Sequence, residues 1–350
     1  MSEPVPQQQI EFLYNLQRLL NEGSFVATYK FALLSSLADL CVEKGKDTDA
    51  ELELSTREIA QKFVTIYWRQ SRPFLPKGKV GATIILRQNT GREAGVIRLL
   101  REQSEAGVTS LNSLQQNKRS WNRIISRIDR FVREMPLWRL QTVGNSTLEF
   151  LYPNTITGAS IRLKPGVMFC FRAFHAFITD MVRGAWIRYV RRYNQDRLGD
   201  PVDLDEFLFG SERISLAAYV PILCKVQSSR CFYCQREIRP ATVHVDHFIP
   251  WTTYPIDLGH NFVLADPACN AAKSDHLAAE KHLKRWSSRN RDLGSDLGEE
   301  FDRIGIIHDV HASLTISEWA YNRAFVAQAE TFRAIGIFEQ LSAEWRQSLS

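Results

Sequence analysis

Apolar residues recur at helical spacing through much of the first 70 positions of the chain. The stretch TYKFALLSSLADLCVEKG, residues 28–45, predicts a helix that ends at Gly45. The stretch STREIAQKFVTIYWRQ, residues 55–70, opens with Ser55 and Glu58, the two residues of a capping box, ahead of an apolar face. Residues 7–70 are therefore predicted to be helical, most simply as a bundle.

The helical pattern resumes after a Pro- and Gly-rich break, RPFLPKGKVG, at residues 72–81. Helices are predicted across residues 91–104, 110–134 and 166–195, and the second of these is long, amphipathic and strongly basic. Three short alternating segments, LWRLQTV, TLEFLY and SIRLKP, predict a small antiparallel sheet. The stretch RLGDPVD, residues 197–203, is rich in turn residues and indicates a boundary.

The pattern changes again beyond residue 205. ATVHVDHF and HNFVLAD alternate and predict two strands, and ACNAAKSDHLAAEKHLKRW predicts one helix starting at Pro267 or Ala268. The C-terminal stretch from 316 to 345 predicts amphipathic helix. The fold class is predicted as α+β and mainly helical, with a helical region at 1–75, a basic helical region with a small sheet at 76–200, and a third domain at 201–350.

Composition narrows the class of protein. The 350 residues contain no run of about 18 apolar positions, so no membrane span is predicted. The first residues, MSEPVPQQQIEF, show neither the basic nor the apolar region of a signal peptide, and a cytoplasmic location is expected.

Charge is distributed unevenly. The net charge is +5, yet residues 110–200 hold 15 Lys and Arg against 6 Asp and Glu, about +9, which leaves about −4 elsewhere. This basic middle favours a polyanionic partner such as nucleic acid, although solvated helix faces would give the same count. Candidate contacts are Arg188, Arg191 and Arg192, which alternate with tyrosines near a helix end.

Six cysteines are present, and three of them, Cys231, Cys234 and Cys269, fall within 39 residues that include a C-x-x-C. In a reducing compartment such clustering favours a metal site over disulfides.

Polar residues with catalytic chemistry meet where the predicted strands and helix join. Asp246 and His247 end the first strand, and Asn270 and Lys273 lie in the first turns of the helix. The unperturbed pKa of histidine, roughly 6.5, suits a general base, and Asp and Asn supply oxygen ligands for Mg²⁺ or Mn²⁺. Because Lys273 follows Asn270 by one helical turn, it is predicted to approach a phosphate oxygen. This set suits phosphodiester hydrolysis.

These residues resemble the HNH nucleases of the ββα-metal fold. The resemblance rests on Asp246-His247-Phe248-Ile249-Pro250, on Asn261, and on Cys269-Asn270-Ala271-Ala272-Lys273, and it covers roughly residues 229–290. It implies that His247 is the general base, that Asp246 and Asn270 bind the catalytic metal, and that Asn261 holds the loop and orients the base.

Many HNH nucleases also carry a zinc knuckle of two C-x-x-C pairs. Cys231 and Cys234 resemble the first pair and Cys269 the second Cys of the other, whose first Cys is replaced by Asp266. The resemblance therefore implies structural zinc on three cysteines, with Asp266 or His244 as the fourth ligand.

The expected activity is a metal-dependent endonuclease on DNA, with RNA left open as a substrate. The layout, a nuclease module behind a larger unshared region, is typical of bacterial restriction and anti-phage nucleases, and homing or recombination roles are also open. Two alternatives stay open: a nuclease subunit gated by a partner or ligand, and a zinc-stapled module that binds nucleic acid without cleaving it. The helical regions could also bind a protein partner or a second copy of the chain.

Overall fold

The computed structural model describes residues 2–74, 83–91, 93–155, 158–198, 204–210, 216–239, 242–255 and 257–349. The chain divides into two compact units, residues 1–212 and 213–350. The predicted boundaries after residues 75 and 200 lie outside the described residues, so the three-region division stays a prediction. Each unit is mainly helical with small two-stranded sheets, which confirms the coarse α+β class.

The first unit is a helical assembly with two small sheets. Its helices are α1 (Pro6–Glu22), α2 (Tyr29–Lys44), α3 (Thr56–Gln70), α4 (Gly95–Glu105), α5 (Leu111–Gln116), α6 (Lys118–Glu134), α7 (Pro136–Arg139), α8 (Val167–Ala173), α9 (His175–Tyr193), α10 (Gln195–Leu198) and α11 (Leu204–Phe209). Its strands are β1 (Leu52–Ser55), β2 (Thr142–Val143), β3 (Ser146–Thr147) and β4 (Ser160–Leu163).

Helix α2 forms the centre of this unit. It is apolar on nearly all sides, and Leu33, Leu37 and Cys41 are fully buried. Helices α3, α8 and α9 pack around it. Full burial of one leucine side chain contributes about 1.5–3 kcal/mol, so each buried leucine of α2 stabilises this unit. The capping box predicted for α3 is present, with Ser55 and Glu58 each bonded to the other's backbone N–H.

The predicted sheet of three neighbouring segments is wrong in its pairing. SIRLKP supplies β4, but β4 pairs with the distant β1 in an antiparallel register that sets Leu54 opposite Ile161. LWRLQTV begins as α7, and only its last two residues enter the β2–β3 hairpin. Alternation shows which side of a strand is apolar and does not show which strand will cover its edge.

The second unit begins with a short 3₁₀ turn at Leu216–Tyr219. It continues with α12 (Val220–Val226), β5 (His244–His247), a 3₁₀ turn at Gly259–Asn261, β6 (Phe262–Ala265), α13 (Pro267–Lys273), α14 (Glu280–Ile304), α15 (Val310–Val326), β7 (Glu330–Ala334), β8 (Ile337–Gln340) and a 3₁₀ turn at Trp345–Leu349. The single helix predicted from residue 267 is two helices, because Ser274 has a positive φ of 46° and ends α13.

Helix α14 anchors the two strands. The ring of Trp286 stacks on Phe248, one residue past β5, with centroids 4.8 Å apart and the planes 8° from parallel. The indole N–H of Trp286 donates to the carbonyl of His260, just before β6. Arg289 donates to the carbonyls of His260 and Phe262. These contacts fix the residue after β5 and the residues at the start of β6 to α14.

The helix predicted for the C-terminal stretch holds only as far as residue 326. Beyond it β7 and β8 form an antiparallel hairpin, with Gly336 at φ 73° in the connection. Phe332 on β7 is fully buried, and its backbone bonds to Leu277 and Ala279. Tertiary burial of this apolar strand residue therefore overrides the helical spacing. Among the described helices, none has the length and the apolar content needed to cross a bilayer.

Candidate active site and cysteine cluster

Two antiparallel strands followed by a helix carry the candidate site. Asp246 lies opposite Val263, and His247 lies opposite Phe262, in the pairing of β5 with β6. α13 begins two residues after β6 ends and packs against β5. The predicted order of strand, loop, strand and helix is therefore present, and the predicted site residues lie on adjoining elements.

Helix α13 meets strand β5 at two points. The side-chain Nδ2 of Asn270 lies 3.3 Å from Nδ1 of His244. The ammonium of Lys273 lies 3.2 Å from Oδ2 of Asp246. Because side chains two apart on a strand point to the same side, His244 and Asp246 form one surface against which α13 lies.

Asp246 is almost fully buried and has two partners on one oxygen. Its Oδ2 accepts a hydrogen bond from the Tyr233 hydroxyl and forms the ion pair with Lys273. Burial, reinforced by Asp246, raises the pKa of Tyr233 well above its usual value, so this hydroxyl stays a donor. No described residue forms a hydrogen bond with Oδ1 of Asp246, which leaves one carboxylate oxygen as a free acceptor.

Lys273 is also held inside the protein. It is fully buried, and besides the ion pair its ammonium donates to the carbonyl of His247 at 3.0 Å. Burial lowers the pKa of Lys273, and the carboxylate of Asp246 opposes that shift. In this structure the ammonium joins β5 to α13, and its approach to a phosphate oxygen stays a prediction.

His247 has an acidic partner that the sequence pattern did not indicate. Its Nε2 lies 2.7 Å from Oδ1 of Asp257, in the loop between the strands. The rings of Phe262 and Trp251 lie 4.5 and 5.5 Å from the imidazole, centroid to centroid. About a fifth of the His247 side chain is exposed (21%), so solvent reaches the ring while these contacts limit its orientation.

Asn261 fixes the chain that follows His247. Its side chain accepts from the N–H of Ile249 at 2.8 Å and donates to the carbonyl of Ile249 at 3.0 Å. Its backbone carbonyl accepts from the N–H of Phe248. These contacts are structural, and they act on the two residues after the predicted base.

Three cysteines converge at the other end of the strand pair. The Sγ atoms of Cys231, Cys234 and Cys269 lie within 4.8 Å of one another, and all three thiols are free. Burial raises the pKa of the Cys231 thiol. This cluster can bind a metal ion. Within the described chain, neither Asp266 nor His244 has a ligand atom in the group.

The carboxylate of Asp266 has a different role from the one predicted. Its Oδ1 accepts from the backbone N–H of Ala268 and caps α13, while its own N–H donates to Sγ of Cys231 at 3.3 Å. The predicted Asp266 ligand is therefore not placed on the cluster, because the side chain satisfies the helix N-terminus and only the backbone meets a sulfur.

A cation and a tight turn support the C-x-x-C segment. Gln235, at φ 61°, donates through its backbone to the carbonyl of Cys231, and the N–H of Cys231 donates to the carbonyl of Arg236. Arg285 on α14 donates to the carbonyl of Phe232. Arg285 therefore fixes the backbone of the turn between Cys231 and Cys234 to α14.

Asp257 and Tyr233 were missed from sequence. Asp257 lies in an irregular loop ten positions after His247. Such a loop has no periodicity that predicts which of its residues will contact His247. Tyr233 occupies an x position of the C-x-x-C, where it resembles an ordinary turn residue. A search for carboxylates in the loop after the base would have found the first.

The three predicted nucleic-acid contacts lie in the first unit, near the end of α9. Arg188, Arg191 and Arg192 are exposed. The tyrosines expected to stack on bases are less accessible, because Tyr189 is buried against Phe31 and lies 4.6 Å from the ring of Tyr193. The cluster therefore offers cations more than stacking surface.

Residues 8–208 match the family described as Domain of unknown function (DUF8808). The chain belongs to this family. No curated protein matches the chain. The DUF8808 match covers nearly all of the first unit, whereas the site around His247 and the cysteine cluster lie after it, in the second unit.

Proposed function

We propose that the chain is a metal-dependent endonuclease of the HNH type that hydrolyses phosphodiester bonds in DNA. The second unit would be its ββα-metal nuclease. The observation that carries this proposal is the pairing of His247 with Asp257 at the end of β5, next in the chain to Asp246, on the strand against which α13 with Asn270 packs. A base held by a carboxylate next to two oxygen donors is the set that phosphodiester hydrolysis needs.

His247 acts as the general base. A carboxylate can only accept, so the ring nitrogen that faces Asp257 carries the proton and Nδ1 keeps its lone pair. No described residue forms a hydrogen bond with Nδ1 of His247. The partly exposed imidazole can therefore take a proton from water, a contribution of roughly 10²–10⁴-fold in rate.

Asp246 and Asn270 would hold Mg²⁺ or Mn²⁺. Their fit rests on two oxygens that no described residue occupies: Oδ1 of Asp246, and Oδ1 of Asn270, whose nitrogen is turned to His244. Carboxylate and amide oxygens are the ligands these ions prefer. When bound, the ion supplies polarisation of the phosphate and stabilisation of the leaving oxygen. Lys273 keeps Asp246 in place, and Asn261 keeps the chain after the base in place.

Zinc would occupy the cysteine cluster. Structural zinc sites use four ligands and accept three cysteines with one further donor. Cys231, Cys234 and Cys269 supply three, and the ion would join the C-x-x-C turn to the start of α13. Because α13 also carries Asn270, zinc would hold the helix that completes the catalytic site.

A plasmid-nicking assay with Mg²⁺ tests the nuclease proposal. The full chain is expected to cleave, His247→Ala to lose roughly 10²-fold or more, and the control His311→Ala, an exposed histidine of α15, to cleave like the wild type. Equal cleavage by wild type and His247→Ala would reject the assignment of the base. Binding of DNA by the wild type with no cleavage under any divalent ion would favour the idle binding module.

A role in restriction or anti-phage defence stays a prediction from domain layout. It predicts that bacteria expressing the chain are protected from phage infection and that cells expressing His247→Ala are not. Equal phage titres on the two strains would remove this role and leave the nuclease proposal untouched.

A further inference from the structure

Helix α6 in the DUF8808 unit carries a row of arginines on its outward side. Arg119, Arg123, Arg127 and Arg130 are all exposed and follow one another at spacings of three or four residues. We call these four the arginine row. The opposite side of the helix is buried in the unit through Ile124, Ile125, Ile128 and Val132. The row is thus fixed to the core by the helix that bears it.

The guanidinium groups of the row are not paired with any residue that the structure describes. None of the four forms a hydrogen bond or an ion pair within the described part of the chain. Arg133 on the same helix differs, because it pairs with Asp129 at 2.9 Å. The other exposed residues of α6 are Lys118, Asn122, Ser126 and, at its C-terminal end, the acidic Glu134. Four cations on one rigid surface, without a partner among the described residues, can bind an external polyanion.

Length and chemistry point to a nucleic-acid backbone. Eleven residues separate the ends of the row, about 16 Å at a rise of about 1.5 Å per residue. Duplex DNA carries one charge per roughly 1.7 Å, so the row spans about ten phosphate charges. Arginine, asparagine and serine are typical phosphate contacts.

The same surface fits other polyanions less well. None of the exposed residues of α6 is apolar or aromatic. Protein interfaces place apolar and aromatic side chains at their centre. Single-stranded nucleic acid is bound through stacking on aromatic rings. A protein partner and a single-stranded nucleic acid would therefore both lack their main contacts on α6.

We propose that the arginine row binds the phosphate backbone of duplex DNA and gives the DUF8808 unit the role of holding the substrate. The choice of DNA over RNA rests on the proposed nuclease function. The charge of the row would attract either nucleic acid and does not depend on that function.

Fluorescence anisotropy of the full chain with a labelled 24-base-pair DNA, without Mg²⁺, tests this assignment. The row variant changes all four arginines to glutamine, which preserves helix propensity. The matched control changes to glutamine four arginines that already pair with carboxylates, Arg18, Arg98, Arg162 and Arg303. A lysine version of the row keeps the charges and shows whether a loss reflects charge or misfolding, and thermal melts of each variant accompany the titrations.

The row variant is expected to lower the slope of log K against log salt by about 3.6, since each phosphate contact contributes about 0.9. At about 0.1 M salt this is a loss of affinity on the order of 10³-fold. The lysine version keeps the wild-type slope, and so does the control in which the four paired arginines are changed. A row variant with unchanged affinity and slope would overturn the proposal.

Competitors separate the partner classes. Polyglutamate that displaced DNA as well as unlabelled duplex does would assign the row to acidic protein, and tighter binding of duplex RNA would assign it to RNA; either result overturns the proposal. Because these titrations contain no Mg²⁺ and measure no cleavage, they fail or succeed independently of the nicking assay on His247.

Discussion

Replacing Asp257 by asparagine removes one charge beside the proposed base and preserves the size of the side chain. Asp257 touches His247 at 2.7 Å through Nε2, and both side chains are largely buried, 16% and 21% exposed. As His247 takes a proton from water it becomes cationic, and the carboxylate stabilises that cation. Asparagine offers only a neutral dipole at the same place, so the perturbation acts on the transition state.

The magnitude follows from the contact. A hydrogen bond to a charged group contributes about 1.5–3 kcal/mol. At about 1.4 kcal/mol per tenfold change in rate, the expected fall in kcat is roughly 10–150-fold. KM is expected to change by less than about twofold, because the interaction strengthens only as charge develops and therefore leaves ground-state binding unchanged.

Steady-state cleavage of a labelled duplex with saturating Mg²⁺ measures both constants. Asp292→Asn, at an exposed position on α14, is the control for a lost charge in the same unit. In the His247→Ala background, Asp257→Asn is expected to cause no further loss, since Asp257 acts through the imidazole. ¹⁵N NMR of His247 should show the proton on Nε2. A variant that cleaves within about twofold of wild type, or an equal further loss without His247, would refute the reasoning.

The remaining predictions concern stability and metal content. Lys273→Met removes the cation that pairs with the buried Asp246 carboxylate. It is expected to lower the free energy of unfolding by about 3–5 kcal/mol in urea titrations. The control Lys225→Met, at an exposed position, is expected to change that free energy by no more than about 0.5 kcal/mol, and equal effects of the two variants would contradict the ion pair. Burial lowers the pKa of His282 to about 4, below about 6.5 in the unfolded chain, so its contribution is full above pH 6.5 and is lost as pH falls towards 4. His282→Gln should therefore reduce the stability lost between pH 7 and 5 by about 2 kcal/mol, and an unchanged pH dependence would count against it. Cys231→Ser should remove about one zinc per chain, unlike the control Cys224→Ser outside the cluster; unchanged metal analysis would refute the site.

The helices could be predicted where local chemistry decides them. Ser55 and Glu58 begin α3 because their side chains satisfy backbone N–H groups next to them. The partner of β4 could not be predicted, because it comes from a strand about a hundred positions away. The end of α13 at Ser274 was also missed, because serine is not a residue that favours positive φ.

The site residues also differ in whether local or distant contacts determine their positions. The positions of Asp246, His247 and Asn270 on strand, strand end and helix follow from short-range pattern. The burial of Lys273 does not, because lysine is usually exposed and helical spacing alone places it beside Asn270. Asp257 was not predicted because its contact with His247 depends on the path of a loop.

The claim on which the account depends is that one divalent ion binds between Asp246 and Asn270, beside His247. Anomalous diffraction from crystals of the full chain soaked in Mn²⁺ tests it directly. One peak is expected within about 2–2.6 Å of Oδ1 of Asp246 and of the amide oxygen of Asn270, with the His247 imidazole close to it and not bonded to it. A map with no peak there at millimolar Mn²⁺, or with the ion bonded to His247, would contradict the account.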